Sequence, residues 1–233
     1  MEKVEQRFLR YVKVHTKSDD NSTTTPTTAC QFALADMLAD ELRAMGCENV
    51  RRDDVCYVYA EIPATAGYED KHTLGFIAHM DTSPDFCGEG VNPQIIENYN
   101  GEDLPLGSSG RVLSKALFPH LPTLAGRTLI TTDGNTLLGA DDKAGVSEIM
   151  ALAERIIEEN IPHGKIVIGF TPDEEVGSGA DHFDVEGFGA DFAYTVDGGV
   201  EGSLEYENFN ACAAKFVVNG VNVHPGASKN VMI

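Results

Sequence analysis

Leu74-Gly75-Phe76-Ile77-Ala78-His79-Met80-Asp81 decides the architecture. A short, unbroken apolar run is the pattern of a strand buried on both faces, as in a parallel sheet. It ends on His79 and Asp81, which stand two residues apart and face the same way if the chain stays extended. Two later segments repeat the pattern. Residues 165–170 predict a buried strand that runs into Thr171-Pro172-Asp173-Glu174-Glu175, and residues 192–196 predict another that runs into Asp197-Gly198-Gly199. Metal-type or acidic side chains thus follow three apolar strands at their carboxyl ends, where open α/β sheets gather ligands. A fourth cluster, Asp141-Asp142, sits where a loop meets a helix.

Helical segments lie between these strands. Val4, Phe8, Tyr11 and Val12 form one stripe. Cys30, Leu34, Met37, Leu38, Leu42 and Met45 form a longer one, with Gly46 placed to end it. Val146, Ile149, Met150, Ala153, Ile156 and Ile157 form a third after Asp141-Asp142. Residues 18–28 are rich in Ser, Thr, Asp and Asn and read as a loop, with a Thr cluster at Thr23 to Thr25. Residues 55–62 predict a strand broken at Pro63, and residues 129–132 and 136–138 predict two short strands around Asp133-Gly134-Asn135. The long irregular stretch 84–126 reads as a functional loop or one with short strands of its own. Strands alternating with helices give the expected class: α/β, a mainly parallel sheet with helices on both faces.

The chain of 233 residues carries 37 Asp and Glu against 17 Lys and Arg, a net charge of −20. Such a surface repels phosphate backbones, which argues against nucleic acid as a partner. No GxGxxG or P-loop pattern follows a strand, so nucleotide binding is not supported either. The five cysteines are odd in number and none has CxxC spacing, which fits free thiols in a reducing cytoplasm. The first residues are mixed in charge and lack the apolar core of a signal peptide. No apolar run approaches the roughly 18 residues that span a bilayer. The expectation is a soluble cytoplasmic protein without a membrane partner.

Each acidic cluster has a plain structural use. Asp141 and Asp142 suit a helix cap, His79 and Asp81 suit a structural pair, and a run of three acids is harmless on a solvated loop. Their convergence changes the balance. Three adjacent carboxylates repel in a packed site unless a cation neutralises them, and Asp173-Glu174-Glu175 follows a buried strand and precedes Gly177-Ser178-Gly179. One His with three carboxylates suits zinc, with manganese or cobalt as alternatives. Of the two adjacent Glu residues, one can hold metal while the other handles a proton.

His79-Met80-Asp81-Thr82, Gly139-Ala140-Asp141-Asp142-Lys143-Ala144-Gly145, Thr171-Pro172-Asp173-Glu174-Glu175-Val176-Gly177 and Asp197-Gly198-Gly199 resemble the two-zinc exopeptidases, the family of carboxypeptidase G and succinyl-diaminopimelate desuccinylase. Residues 128–142 and Val221-Asn222-Val223-His224-Pro225-Gly226 are closest to its tripeptide-aminopeptidase branch. The resemblance implies a zinc-exopeptidase catalytic domain over residues 1–208, and over 209–233 the first strand and turn of an α+β lid domain. It implies His79, Asp141 and Asp197 around one Zn2+, and Asp141 bridging to a second Zn2+ that Glu175 also binds. Glu174 would be the general base and Asp81 would orient His79. The Asp141–Asp142 peptide bond would be cis, and His224 would contact substrate. Implied partners are small peptide substrates, and a homodimer is allowed. The family's last ligand to the second zinc has no counterpart in this sequence, so the chain is expected to be the N-terminal part of such an enzyme and to turn over weakly or not at all. A related dipeptidase, carboxypeptidase or N-acyl amino acid deacylase stays open, as does a non-catalytic metal-binding fragment.

Overall fold

The computed structural model describes residues 1–208 together with 210–212, 214, 216, 217 and 219. Two compact units divide the chain, Met1–Gly198 and Gly199–Ile233. In the second, the described residues include a turn closed by Ser203 N–H donating to the Val200 carbonyl at 3.0 Å. The expected lid segment, 209–233, falls largely outside the described residues.

The first unit is built on β1 (Glu48–Arg52), β2 (Val58–Ile62), β3 (Leu74–His79), β4 (Pro93–Ile96), β5 (Leu104–Pro105), β6 (Val112–Leu113), β7 (Leu129–Thr132), β8 (Ile166–Thr171) and β9 (Phe192–Thr195). Its helices are α1 (Val4–Tyr11), α2 (Gln31–Met45), α3 (Ala140–Glu158) and the single-turn α4 (Val185–Phe188). Five strands form the central sheet in the order β1-β2-β8-β3-β9. β3 lies parallel to both β8 and β9, while β2 runs antiparallel to β8 and β1 antiparallel to β2. The carboxyl ends of β3, β8 and β9 therefore share one edge of the sheet, with His79 opposite Thr171.

Side-chain alternation divides the core. Val58, Ala60 and Ile62 of β2 and Ile166, Ile168 and Phe170 of β8 pack with Leu34, Leu38 and Leu42 of α2 and Val146, Ile149 and Met150 of α3. The intervening Tyr57, Tyr59 and Val167 meet Phe183 and Phe188 on the opposite face. Gly75 and Gly169 let Phe188 lie against the strands: a Cβ at Gly75 would come 2.7 Å from the ring. Helices thus cover both faces. Arg7, 2% exposed, joins α1 to Glu41 of α2 at 3.0 Å and to Glu154 of α3 at 3.1 Å. Gly46 ends α2 at φ 93°, as its position in the sequence predicts.

Three local expectations are corrected. Residues 136–138 form no strand. β7 pairs instead with β4, inside the stretch read as irregular. The strand expected over 55–62 begins only at Val58, because Asp53 captures the chain before it: its side chain accepts the Tyr57 N–H at 2.8 Å and its carbonyl accepts the Cys56 N–H at 3.1 Å. β1, made of Glu48-Asn49-Val50-Arg51-Arg52, has no strand signature. It is an edge strand held by pairing with β2 and by an Arg52–Asp36 ion pair at 2.8 Å. Among the described residues, no helix is long and apolar enough to cross a membrane.

Gly75→Ala should lower unfolding free energy by about 1–3 kcal/mol through overpacking against Phe188, measured by urea denaturation; an unchanged midpoint would contradict this packing. The cysteines are unbridged, and burial pushes the Cys47 thiol up to about 11. The unfolded chain then loses this proton first, so neutral burial of Cys47 stabilises the fold below the ordinary thiol pKa of 9.0 and that contribution falls as pH rises toward about 11. Alkylation at pH 8 should therefore label exposed Cys87 rapidly and Cys47 only after denaturant is added.

Candidate metal and base site

β3 delivers His79 to the sheet edge, where its ring is 2% exposed. Nδ1 lies 3.1 Å from the Asp81 carbonyl oxygen and 3.2 Å from Asp81 Oδ1. Both neighbours are acceptors, so Nδ1 carries a proton and Nε2 is left facing outward. Nε2 meets Asp141 Oδ1 at 2.9 Å, Asp197 Oδ2 at 3.8 Å and Glu174 Oε2 at 3.8 Å. Burial disfavours the imidazolium, but the Asp81 hydrogen bond and the other carboxylates outweigh it and push the His79 pKa up to about 10.

Asp81 is fully buried. Besides His79, its carboxylate accepts the Ser18 hydroxyl, the Glu174 N–H at 3.0 Å and the Glu175 N–H at 3.2 Å. Burial alone would raise its pKa, but these donors and the imidazolium hold it below the usual carboxylate range. Ser18 reaches it because residues 16–18 run alongside Thr82: Thr82 N–H donates to Thr16 O at 3.1 Å, and Ser18 N–H to Thr82 O at 3.0 Å.

Asp141 and Asp142 open α3 in non-helical conformations joined by a cis peptide bond. They diverge. Asp141 points into the cluster, while buried Asp142 accepts the His79 N–H at 3.3 Å and the Gly145 N–H at 3.0 Å. Burial pushes the Asp142 carboxyl up to about 8. Lys143, also buried, donates from Nζ to the Val14 carbonyl at 2.7 Å, and burial pulls its pKa down to about 8. The close approach of α3 to the end of β9 depends on Gly145, where a Cβ would sit 1.8 Å from the Val196 carbonyl oxygen.

Glu174 and Glu175 lie in the 3-10 turn Glu174–Val176 directly after β8. Burial raises the pKa of both, and neighbouring carboxylates add to it. Asp197 is raised in the same way, by burial and then by Asp141. Ligand atoms of His79, Asp141 and Asp197 all lie within 4.8 Å of one another, and among the described residues this is the one cluster of three or more such groups that could hold a metal ion. Glu174 borders it, and Glu175 is tied to it through Asp81. His224 lies outside the described residues. Ser18, Thr27 and Gln31 were not singled out by the sequence pattern, and Asp173 entered only as part of the acidic run. Asp173 turns away from the cluster toward Thr27 and Gln31, and the only hint of this was its place in a run of three acids that cannot all face one point.

A family model described as M42 glutamyl aminopeptidase matches residues 124–225. Peptidase T of Clostridium perfringens is 58% identical over 100% of this chain, which covers 57% of that protein. Peptidase T of Alkaliphilus oremlandii is 53% identical over 100% of the chain, covering 58% of its own length. The crystal structure of aminopeptidase PepT from Bacillus cereus matches with a TM-score of 0.59 and 27% identity, over 84% of this chain and 43% of that one. A tripeptidase structure from Staphylococcus aureus shares the fold with a TM-score of 0.60 at 23% identity, over 84% and 43% of the two chains. The chain spans a little over half the length of the curated relatives it matches. Over all of its own length, the chain is similar to peptidase T.

Proposed function

We propose that the chain carries the metal-binding and proton-transfer residues of a zinc aminopeptidase that releases the first residue of tripeptides. The observation that carries this is the convergence of His79 Nε2, Asp141 and Asp197 within 4.8 Å, with Glu174 Oε2 at 3.8 Å from the same nitrogen. Identity of 58% to peptidase T supports the substrate class.

The donor set fits zinc. Imidazole nitrogen and carboxylate oxygen are its ordinary ligands, and this imidazole already has its far nitrogen committed to Asp81. Burial first, and neighbouring carboxylates after it, raise the pKa of Asp197, Glu174 and Glu175, and a cation here would relieve the repulsive part. His79, Asp141 and Asp197 would hold one ion. A second would share Asp141 and take Glu175, with no further cluster of donors among the described residues. Ions bound here supply Lewis-acid polarisation of a carbonyl and acidification of water. Glu174 accepts the proton of the attacking water at Oε2 and returns it to the departing amine nitrogen. Asp81 keeps His79 in one tautomer and fixes the backbone from which Glu174 projects. Five unbridged thiols suit a reducing compartment, and we place the protein in the cytoplasm on that ground.

Glu174→Gln should lower N-terminal residue release from a tripeptide by about 100- to 10,000-fold while leaving zinc content unchanged. Release of the C-terminal residue, or cleavage of N-acyl amino acids in place of tripeptides, would sink the assignment. Asp81→Asn should weaken zinc binding by about 10- to 100-fold in a competition titration with a chromogenic chelator. In Gly145→Ala the added Cβ meets backbone that cannot yield. Its melting temperature and its zinc affinity should fall together, and a variant that melts and binds like the parent would refute the close approach of α3 to β9.

A further inference from the structure

Asp173 has no part in the metal site or the proton transfer proposed above, yet it is fully buried. Its Oδ1 and Oδ2 accept the Thr27 N–H at 3.0 and 2.9 Å. Oδ1 also accepts the Thr27 hydroxyl at 2.5 Å and Gln31 Nε2 at 2.6 Å. Gln31 answers in kind, its Oε1 accepting the Asp173 N–H at 3.3 Å. Gln31 is the first residue of α2 and is itself fully buried. The Asp173 backbone is left-handed, at φ 56° and ψ 25°, a conformation that a residue with a side chain keeps only where its surroundings impose it. This reversal sends Glu174 and Glu175 back across the end of β3, where their N–H groups reach Asp81. Ser178 N–H closes the turn on the Asp173 carbonyl at 3.0 Å. The turn is therefore held on two sides, by Asp81 from the strand and by Thr27 and Gln31 from the start of α2.

We propose that Asp173, gripped by Thr27 and Gln31, is the positioning residue for the Glu174–Glu175 pair, so that the loop before α2 sets where the base stands. The role given to Glu174 rests on the function proposed above, whereas the clamp itself does not. A carboxylate that merely stabilises the fold would loosen the whole sheet when its partners are removed. A positioning carboxylate loosens the turn alone.

Amide hydrogen exchange on the whole 233-residue chain separates the two. In Gln31→Leu and in Thr27→Ala, the Glu174 and Glu175 amides should exchange about 10-fold faster or more, with Ile168 and Phe170 of β8 unchanged. Thr27→Ser, which keeps the hydroxyl donor, should exchange like the parent. Affinity for the ion assigned to His79, Asp141 and Asp197 should stay within about threefold, because those three residues are anchored elsewhere, while the ion assigned to Glu175 should bind more weakly. Where the parent releases an amino acid from a tripeptide, kcat should fall about 10- to 100-fold with KM unchanged. Unchanged protection at Glu174 and Glu175 would overturn the proposal, as would equal acceleration throughout β8. Should Gln31→Leu fail to fold, Thr27→Ala, which removes the hydroxyl and one methyl group, carries the test, with Thr27→Ser as the control for the methyl. A zinc-loaded parent without peptidase activity would count against the proposed function, while the exchange data would still decide the clamp.

Discussion

The buried carboxylate of Asp81 is the contact on which the site depends. Removing an ionised carboxylate from water is costly unless donors replace its hydration. Here they do, and each arrives from a different part of the chain: Ser18 from the loop before α2, His79 from the end of β3, and the amides of Glu174 and Glu175 from the turn after β8. Satisfying this one group fixes the orientation of an imidazole and the backbone carrying two further carboxylates. The parallel pairing of β3 with β8 makes it possible, because it brings His79 level with Thr171 and places both strand ends on the same side.

Around this buried anchor the charges are graded by exposure. His79 is 2% exposed, Asp197 31% and Asp141 72%. The nitrogen that faces the cluster is thus rigid and dry, while the oxygens opposite it remain open to solvent. Such a gradient suits the ion and substrate proposed for this site, with one imidazole kept in a fixed tautomer. Asp142 shows the same economy at close range. It is adjacent in sequence to Asp141 but takes the backbone amides of His79 and Gly145, tying the start of α3 to the end of β3.

The clusters at the strand ends were legible because their signal is local: an apolar run, then His or acid, then Gly. The helices and the three parallel strands were legible for the same reason. What escaped was nonlocal. β1 is a row of charged and polar residues that becomes a strand only beside β2, and β7 finds its partner in β4 across a stretch without periodicity. Within Asp173-Glu174-Glu175, the sequence could not say which acid faces inward and which is structural. Three like charges in a row suggested a cation, but the first of them is held by neutral donors from Thr27 and Gln31, more than 140 positions away in the chain. Residues 18–28 read only as a loop, and Thr27 within it grips that acid.

That division of labour explains why the acids come as a run. A turn that presents two carboxylates to one cluster repels itself, and backbone hydrogen bonds to Asp81 act on only one side of it. A third carboxylate facing the opposite way adds negative charge, yet it meets four donor contacts supplied by a loop and a helix start. Charge-assisted hydrogen bonds of this kind are roughly twice as strong as neutral ones, and they hold the turn from the side away from Asp81. An Asn at 173 would tolerate the left-handed backbone but would lose the charge and turn an N–H2 toward the Thr27 amide. A glycine would relieve the conformation and lose the grip altogether. Among residues that accept φ near 56°, Asp alone supplies a charged acceptor with both oxygens turned to the Thr27 amide.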